Sequence, residues 1–362
     1  MPIKEEDMSK VMIAMSGGVD SAVTAHLMRQ MGHTVIGATM KLYCPGKPLH
    51  PDENGLMISD DIEDAKATAR QIGIPHMVLD YENEFKKIVV DSFVRAYEDA
   101  KTPNPCIICN GALKFGKMMD AMRTFGADML ATGHYARIER DSNGRNLLRR
   151  AVDLSKDQSY VLYMLSQDQL SRISFPLGDY TKAQVREIAA DMGFENAHKG
   201  DSQDICFIPD GDYAGFIERY QGKQYPEGHF INANGDILGR HRGIIYYTIG
   251  QRKGLGIALG KPAFVCRKDA KENTVTLSDN ESLFSNTLFV KNINWIPLKH
   301  LNAPLRVQAK IRYNMQAQPA IIEQIDTDLV RVTFDRPQRA VTPGQSAVFY
   351  DDEYVIGGGI IE

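Results

Sequence analysis

The sequence lacks the long apolar runs and the cysteine density of membrane or secreted proteins. None of its apolar stretches reaches the roughly 18 residues that a membrane-spanning helix needs. Its start, MPIKEEDMSK, is rich in acidic residues, whereas a secretory signal begins with basic residues and an apolar run. Five cysteines in 362 residues are too few, and odd in number, for a disulfide framework. We therefore expect a protein of the reducing cytoplasm with no membrane partner.

The chain as a whole also has no large excess of either positive or negative charge. The sequence has 42 basic and 46 acidic residues, a net charge of −4. Residues 44–100 hold 6 Lys/Arg against 12 Asp/Glu, whereas residues 291–340 hold 8 against 4. The basic segment permits contact with a nucleic acid without requiring it, since a solvated charged surface explains the same pattern.

Alternating strand and helix patterns fill the first 200 residues, and the composition and periodicity change after them. Strands separated by helices predict a parallel sheet covered on both faces, whose ligands bind beyond the carboxyl ends of the strands. Residues 209–260 are rich in Gly, Asp and Tyr and show little periodicity. From about residue 262, short β-branched runs alternate with turns and predict a small all-β barrel or sandwich.

These patterns predict an α/β protein of three domains. The first is a parallel-sheet domain (residues 1–203), and the second is a small connector (204–275). The third is a C-terminal all-β, barrel-like domain (276–362). The sequence shows neither an internal repeat nor a low-complexity linker.

A glycine-containing turn after the first strand carries the clearest sequence signal. Ser16-Gly17-Gly18-Val19-Asp20-Ser21 follows an apolar run and opens a helix. Glycines let the backbone approach a ligand, and a helix N-terminus offers N–H groups and a partial positive charge to an anion. The hexapeptide is neither a Walker A loop nor GxGxxG. It resembles the pyrophosphate-binding loop (PP-loop) of ATPases that split ATP into AMP and pyrophosphate.

The cysteines are informative by position. Cys106 and Cys109 form a CxxC just before a helix, where a helix N-terminus would lower a thiol pKa. Such a pair fits a redox pair, part of an iron–sulfur site or two unrelated cysteines, and no second CxxC supports structural zinc. Cys206, between Ile and Phe, taken alone is typical of a small buried hydrophobe. Cys44 reads as a loop residue and Cys266 as a core residue of a β run.

Adenylation chemistry combined with activatable thiols indicates sulfur transfer, and here the resemblance becomes specific. Nearly end to end, the chain resembles the tRNA-specific 2-thiouridylase (MnmA/TrmU) family. The supporting segments, in chain order, are residues 15–21, 102–105, 109–110 with 114–115, 131–135, 156–160, 205–208, 248–256 and 341–347.

The resemblance implies a reaction and a set of ATP contacts. In that family ATP, with Mg²⁺, adenylates the 2-oxygen of a wobble uridine in tRNA, and AMP and pyrophosphate are released. The matching ATP contacts here are Ala14, Met15, Ser16, Gly17, Gly18, Val19, Asp20, Ser21, Met40 and Gly133. Ala14 replaces a glycine frequent in the family, a small change at a strand end.

The resemblance also implies how sulfur is delivered. Cys206 matches the cysteine that carries a persulfide, and Cys109 matches the thiol that resolves the bond, leaving a Cys109–Cys206 disulfide or releasing sulfide. A second thiolate must free the terminal sulfur, so we expect a mobile segment around Cys206 that brings these thiols together. The sulfur donor would be a cysteine desulfurase or a sulfur-relay protein.

One departure from the family leaves an alternative open. Cys106 stands where some relatives have Asp, so no carboxylate role can be transferred to it. Cys106, Cys109 and Cys206 could instead be three ligands of an iron–sulfur cluster that delivers sulfide.

The family match further implies contacts with the tRNA. Lys156 and Arg312 would contact phosphates, and Tyr313 offers a stacking face for an unstacked anticodon base. The matching residues are Asn104, Pro105, Cys106, His134, Lys156, Asp157, Gln158, Arg312, Tyr313 and Gln345.

Two other functions remain as alternatives. An AMP-forming synthetase acting on a small molecule would share the turn but leave the thiols and the β domain unexplained. A non-catalytic RNA-binding protein with a degenerate ATP site would not need an intact Ser-Gly-Gly-Val-Asp-Ser.

Overall fold

The computed structural model describes residues 8–46, 48–52, 56–194 and 205–362, and for Pro51 only the backbone. Strands and helices alternate along the first part of the chain, as the sequence predicts. The helices are α1 (Val19–Gln30), α2 (Asp60–Ile72), α3 (Glu82–Phe85), α4 (Asp91–Glu98), α5 (Pro105–Cys109), α6 (Met118–Thr124), α7 (Gln167–Leu170), α8 (Lys182–Asp191) and α9 (Tyr213–Gln221). The strands are β1 (Lys10–Ala14), β2 (Thr34–Lys41), β3 (His50–Pro51), β4 (Met57–Ile58), β5 (His76–Asp80), β6 (Met129–Thr132), β7 (Ala136–Arg140), β8 (Asn146–Arg150), β9 (Ile173–Ser174), β10 (Gly228–Ile231), β11 (Ile237–His241), β12 (Phe264–Asp269), β13 (Thr274–Ser278), β14 (Phe284–Trp295), β15 (Leu305–Lys310), β16 (Gln318–Asp326), β17 (Leu329–Arg339), β18 (Ser346–Asp351) and β19 (Tyr354–Ile361).

The chain forms two compact units. Unit 1 comprises Met1–Ile88, Cys106–Phe207 and Glu353–Val355. Unit 2 comprises Val89–Pro105, Ile208–Asp352 and Ile356–Glu362.

Unit 1 is built on a five-stranded parallel sheet in the order β5-β2-β1-β6-β9. Val11, Met12 and Ile13 of the central strand β1 are completely buried, as expected for a strand covered on both faces. The strand order reverses at β1, with β2 on one side and β6 on the other, and such a reversal opens a crevice at the carboxyl ends of the strands. The predicted parallel-sheet domain is confirmed.

Helix α8 covers this sheet, and a capping box marks its start. Thr181 accepts a hydrogen bond from the Gln184 backbone N–H, and the Gln184 side chain accepts one from the Thr181 backbone N–H. This reciprocal capping satisfies two helix-end donors. Val185 and Ala189 of α8 pack in the core together with residues of β1 and α1.

Unit 2 contains the predicted β-rich half of the chain. Strands β14, β17, β16, β15, β18 and β19 form a six-stranded antiparallel barrel, which the β14–β19 pairing closes. Along β17, buried Val330, Val332 and Phe334 alternate with exposed residues, so one face of the strand fills the barrel core. A separate four-stranded sheet has the order β11-β10-β13-β12.

The segment Val89–Pro105 belongs to unit 2 through aromatic and hydrogen-bond contacts with α9 and the residues after it. The ring of Phe93 lies 6.3 Å from that of Tyr213, and the Tyr220 hydroxyl donates to Asp91 at 2.8 Å. The Tyr225 hydroxyl donates to Glu98 at 2.6 Å. Three residues of α4, Asp91, Phe93 and Glu98, thus contact the part of the chain that follows residue 208.

Candidate active site

The crevice at the carboxyl ends of the unit 1 strands is a pocket of about 600 Å³. Seven of the ten predicted ATP contacts line it: Ala14, Met15, Ser16, Asp20, Ser21, Met40 and Gly133. The other three, Gly17, Gly18 and Val19, belong to the turn and the first residue of α1. The structure therefore brings together residues that are up to 119 positions apart in the sequence.

The turn before α1 is held in a shape that suits an anion. The Ser16 N–H donates to Ser21 Oγ at 3.1 Å, and that hydroxyl donates to the Gly18 carbonyl at 2.9 Å. Gly17 has φ of +77°, and a Cβ there would lie 2.2 Å from the Asp61 carbonyl oxygen. Among the described residues no side chain caps the start of α1, so its N–H groups and dipole face the pocket end of the sheet.

Asp20, at the start of α1, is neutralised by a buried lysine. Lys182 Nζ lies 2.8 and 2.9 Å from the two Asp20 carboxylate oxygens, and the Tyr135 hydroxyl donates to the same carboxylate at 2.8 Å. Lys182 is only 7% exposed. The pair removes a negative charge that would otherwise repel a phosphate at this turn.

Gly133 packs directly against the start of α1. A Cβ on Gly133 would lie 2.9 Å from the Asp20 carbonyl carbon, so only glycine fits there without displacing the helix. The next residue, His134, is buried, and its Nδ1 pairs with Thr132 Oγ1 at 2.7 Å. Burial holds the pKa of His134 well below its usual value, so its ring is neutral at physiological pH.

Two lysines line the pocket, together with the carboxylates of Asp20, Asp61 and Glu82. Lys41, at the end of β2, forms ion pairs with Asp80 and Glu82 at 3.3 and 3.2 Å. Lys114, in the π-helical segment between α5 and α6, also lines the pocket. Its charge partly offsets the rise in the pKa of the Cys109 thiol that burial causes.

Four thiols lie on the same side of unit 1. Cys106 and Cys109 occupy the first turn of the helix that begins at Pro105, and Cys206 and Cys44 line the pocket. The neighbouring Cys44 thiol, together with burial, raises the pKa of the Cys206 thiol. Cys44 lies in the loop after β2, as expected, and it also lines the pocket.

The expectation that a helix N-terminus lowers the pKa of these thiols is wrong for Cys109. Burial, with the neighbouring Cys106 and Cys44, raises the pKa of Cys109 to about 11, although the charge of Lys114 acts in the opposite direction. Removing a thiolate from water outweighs the helix dipole at this position. The Cys109 thiol is therefore protonated at neutral pH in this structure.

The structure does not support a cluster held by Cys106, Cys109 and Cys206. Across residues 8–46, 48–52, 56–194 and 205–362, no group of three or more His, Cys, Asp or Glu side chains is arranged to hold a metal ion. The iron–sulfur alternative is thus not favoured. The sequence just before Cys206, where we expected a mobile segment, lies in 195–204, outside the described residues.

The predicted tRNA contacts of unit 1 have mixed surroundings. Cys106 is exposed, and Lys156 is half-buried. Asp157 accepts hydrogen bonds from the Ser159 hydroxyl at 2.8 Å and from the Ala151 N–H at 3.1 Å, so its carboxylate shapes the loop. Gln158 lines the pocket and accepts from the backbone N–H of the residue after His134. His134 itself forms part of the pocket wall.

The predicted tRNA contacts of unit 2 form two groups. Gln345 Nε2 donates to the Thr102 carbonyl at 2.8 Å, which ties the loop before β18 to the segment that contains Asn104 and Pro105. Arg312 donates to the Ala340 carbonyl and to Thr342 Oγ1. The adjacent Tyr313 is 38% exposed, and Lys310 Nζ lies 5.4 Å from the centroid of its ring.

The sequence reasoning missed three residues of this site. Lys182 and Tyr135 reach Asp20 from 162 and 115 positions away, and Cys44 reaches Cys206 across the pocket. Its position directly after the N-cap Thr181 was the local signal for Lys182, since a cation is unusual in the first turn of a helix.

No helix in the described part of the chain is both long and apolar enough to cross a membrane.

Comparison with family models gives one match for each part of the chain. Residues 9–210 match the tRNA methyl transferase HUP domain, and residues 214–279 match the tRNA methyl transferase PRC-barrel domain. Residues 285–361 match the aminomethyltransferase beta-barrel domain. The first model alone covers more than half of the chain.

Two relatives of nearly the same length are about half identical to this chain in sequence. The tRNA-specific 2-thiouridylase MnmA of Clostridioides difficile (strain 630) is 50% identical over 354 residues, which is 98% of either chain. The protein of the same name from Clostridium acetobutylicum is 48% identical and covers 98% of this chain and 99% of its own. Among solved structures, the U34-tRNA thiolase NcsA from Methanococcus maripaludis is 16% identical with a TM-score of 0.36, covering 60% of this chain and 70% of its own. A score this low carries no functional argument.

Proposed function

The chain belongs to the tRNA-specific 2-thiouridylase family, and we propose that it converts the wobble uridine of tRNA to 2-thiouridine in an ATP-dependent, AMP-forming reaction. One observation carries this proposal. The pocket that holds the phosphate-binding turn also exposes the thiol of Cys206, so the activating group and the sulfur carrier face the same space.

The first half-reaction activates the uridine. The turn from Ser16 to Ser21 would hold the pyrophosphate that leaves, because its N–H groups and the dipole of α1 stabilise negative charge. Met40 and Gly133, at the ends of the strands on either side of β1, leave room for the adenosine half. The 2-oxygen of the uridine attacks the α-phosphate, AMP becomes attached to that oxygen, and carbon 2 becomes open to a nucleophile.

Mg²⁺ fits the donor set of the pocket. Asp20 and Asp61 line it, and Mg²⁺ in proteins is commonly bound through one or two carboxylates together with substrate phosphates. When bound, the ion neutralises charge on the leaving pyrophosphate. Lys182 keeps Asp20 in place beside the turn, with or without the ion.

The second half-reaction transfers sulfur. We propose that a donor protein, a cysteine desulfurase or a sulfur-relay protein, loads Cys206 as a persulfide. The terminal sulfur attacks carbon 2 and expels AMP, and a second thiol then frees the sulfur from Cys206. Cys109 is the family candidate for that thiol, and Lys114 is the cation that favours its thiolate.

The tRNA contacts and the domain boundaries extend the same proposal. The segment with Asn104 and Pro105 would meet the target base with Cys106, and His134, Lys156, Asp157 and Gln158 would shape or flank that site. Arg312, Tyr313 and Gln345 would contact the tRNA from unit 2. We place the domains at 1–203, 204–275 and 276–362 and the reaction in the cytoplasm, where unmodified tRNA is available.

A gel containing a mercury reagent, which retards thiolated RNA, tests the proposal. Purified protein is incubated with ATP, Mg²⁺, unmodified tRNA with a wobble uridine and a sulfide source, beside Cys206→Ala and Cys109→Ala. We expect a retarded band that requires ATP and Cys206. tRNA-dependent AMP formation without the retarded band would contradict the sulfur step. The absence of both AMP and the band would favour a small-molecule synthetase.

A further inference from the structure

The barrel loop, which connects β17 and β18 (residues 340–345), lies against the target segment, which leads into α5 (residues 101–104). The Thr102 N–H donates to the Pro343 carbonyl at 2.9 Å, and Gln345 Nε2 donates to the Thr102 carbonyl at 2.8 Å. The target segment forms no helix or strand that could satisfy these backbone groups. The barrel loop therefore supplies the hydrogen bonds that hold this part of the backbone.

Gly344 lets the two backbones approach each other directly. Its φ is +90°, and a Cβ there would lie 3.0 Å from Lys101 Cβ and 3.1 Å from the Thr102 nitrogen. These separations are shorter than ordinary van der Waals contacts, and the Thr102 backbone cannot move away without straining its hydrogen bonds. A side chain at position 344 would therefore displace the target segment from the barrel loop.

The barrel loop is itself fixed by the rest of the barrel. Thr342 is only 3% exposed, and its hydroxyl donates to the Ala340 carbonyl at 2.8 Å. The same hydroxyl accepts a hydrogen bond from Arg312 Nη2 at 3.0 Å. The Gly344 N–H donates to the Ile361 carbonyl of β19 at 2.9 Å. A loop held in this way can act as a fixed support for the target segment.

We propose that Thr342 and Gly344 are positioning residues, which hold the target segment so that Asn104 meets the uridine in the orientation needed for activation. This rests on the proposed function, in which the 2-oxygen of that uridine attacks ATP. Neither residue touches the reacting atoms in this role, because the barrel loop acts through the Thr102 backbone. Asn104 is two residues from Thr102, so a displacement there reaches the base contact. A shift of about 1 Å can lower a rate on the order of 100-fold.

A positioning role predicts a split between the binding of tRNA and its activation. The activation step releases pyrophosphate when AMP becomes attached to the uridine, so pyrophosphate release in a single turnover measures it without the sulfur step. Displacing the target segment should slow this release at saturating tRNA and ATP. The Kd for tRNA should stay unchanged, because the bound complex forms but its uridine is poorly oriented.

Gly344→Ala and Gly235→Ala form a matched pair in unit 2. Their φ values are +90° and +91°, so alanine strains the backbone to a similar degree at either position. A Cβ at Gly235, in the turn between β10 and β11, meets nothing within 4 Å. We expect Gly344→Ala to release pyrophosphate at least about tenfold more slowly than wild type. Gly235→Ala should match the wild type, and urea unfolding confirms that both variants are folded.

Variants of Thr342 separate its hydroxyl from its shape. Thr342→Val keeps the shape but removes the group that binds Arg312 and Ala340, whereas Thr342→Ser keeps that group. We expect pyrophosphate release to slow about fivefold in Thr342→Val and to return to the wild-type rate in Thr342→Ser. Hydrogen exchange at the Thr102 amide, measured by mass spectrometry, should be faster in Thr342→Val and unchanged in Thr342→Ser.

The possible failures are distinguishable. Wild-type activation of bound tRNA by Gly344→Ala, or an equal loss in Gly235→Ala, would overturn the assignment. Weaker tRNA binding with an unchanged rate would make the barrel loop a tRNA contact and would also overturn it. If Gly344→Ala does not fold, the Thr342 pair decides, and a Thr342→Ser variant as slow as Thr342→Val refutes the role of the hydroxyl. Wild-type protein that releases no pyrophosphate with tRNA would instead contradict the proposed function, and the positioning role with it.

Discussion

At the scale of single residues, the site combines a carboxylate held by an ion pair with a thiol that is protonated at neutral pH. Lys182 and Tyr135 hold Asp20 beside the phosphate-binding turn, while burial keeps Cys109 protonated. A resting enzyme with protonated thiols resists oxidation, since only the thiolate reacts readily with oxidants. Activation of sulfur chemistry would then follow substrate binding.

The raised pKa of Cys109 predicts slow alkylation. With a pKa of about 11, only ~10⁻⁴ of the thiol is ionised at pH 7. The rate of modification by iodoacetamide should therefore rise about tenfold for each pH unit between pH 7 and pH 10. Peptide mass spectrometry measures the rate, with glutathione as the control thiol. A rate for Cys109 that levels off near pH 9, as for an ordinary thiol, would contradict the assignment.

The Asp20–Lys182 pair predicts a specific defect for Lys182→Met. The change leaves a partly buried carboxylate without its cation, which costs about 2 kcal/mol of the free energy of unfolding. The uncompensated charge at the turn should also weaken ATP binding at least about tenfold, or about 1.4 kcal/mol. Urea unfolding and calorimetric ATP titration measure both quantities, with the exposed Lys299→Met as control. Unchanged ATP affinity would show that Lys182 has no part in the phosphate site.

At the scale of elements, two loops and one helix determine where the chemistry can occur. The turn before α1 fits only because Gly17 and Gly133 allow close backbone approaches. The helix that starts at Pro105 contains a π-helical segment, Asn110–Lys117, directly after Cys109. Such segments often lie at functional sites, because they rotate the following side chains relative to a regular helix. Here the segment carries Lys114 into the pocket.

Gly17→Ala is predicted to disable the phosphate-binding turn. Both Gly17 and Gly32 have positive φ, +77° and +86°, so alanine strains the backbone at either position by about 1 kcal/mol. Only at Gly17 would the added Cβ meet another backbone atom, 2.2 Å away, while at Gly32 it meets nothing within 4 Å. We expect at least about tenfold weaker ATP binding for Gly17→Ala alone. Equal ATP affinity in both variants would contradict the account of the turn.

The Gln345 contact predicts a defect confined to tRNA. Removing its amide in Gln345→Ala frees the segment after Thr102, at a cost of about 1 kcal/mol for the lost hydrogen bond. We expect kcat/KM for tRNA to fall about fivefold while the Kd for ATP stays unchanged. Gln316→Ala, at an exposed position of the same unit, is the matched control. A fall in ATP affinity would instead place the effect in general folding.

At the scale of the whole molecule, the architecture was predictable and the fine structure of the site was not. Periodicity identified the parallel sheet and the β-rich half, because apolar patterns of period 2 and 3.6 report burial directly. The turn before α1 could be recognised from the sequence because its residues form one contiguous motif. Lys182, Tyr135 and Cys44 could not be found in this way, since each acts on a partner that only the tertiary fold brings near.

The error at Cys109 has the same origin. A helix start is visible in sequence and favours a lower thiol pKa, but the burial that dominates at this position depends on residues distant along the chain. The individual roles assigned to the ATP and tRNA contacts from the family resemblance remain predictions.

Isotope transfer from Cys206 to tRNA tests the central claim most directly. Cys206 is loaded with a ³⁴S-labelled persulfide, excess donor is removed, and a single turnover is run with ATP, Mg²⁺ and unmodified tRNA. Mass spectrometry of the nucleosides should find ³⁴S in 2-thiouridine, in an amount equal to the persulfide lost, and none without ATP. Label that stays on the protein while unlabelled 2-thiouridine forms would contradict Cys206 as the carrier. Label in no nucleoside at all would contradict thiolation itself.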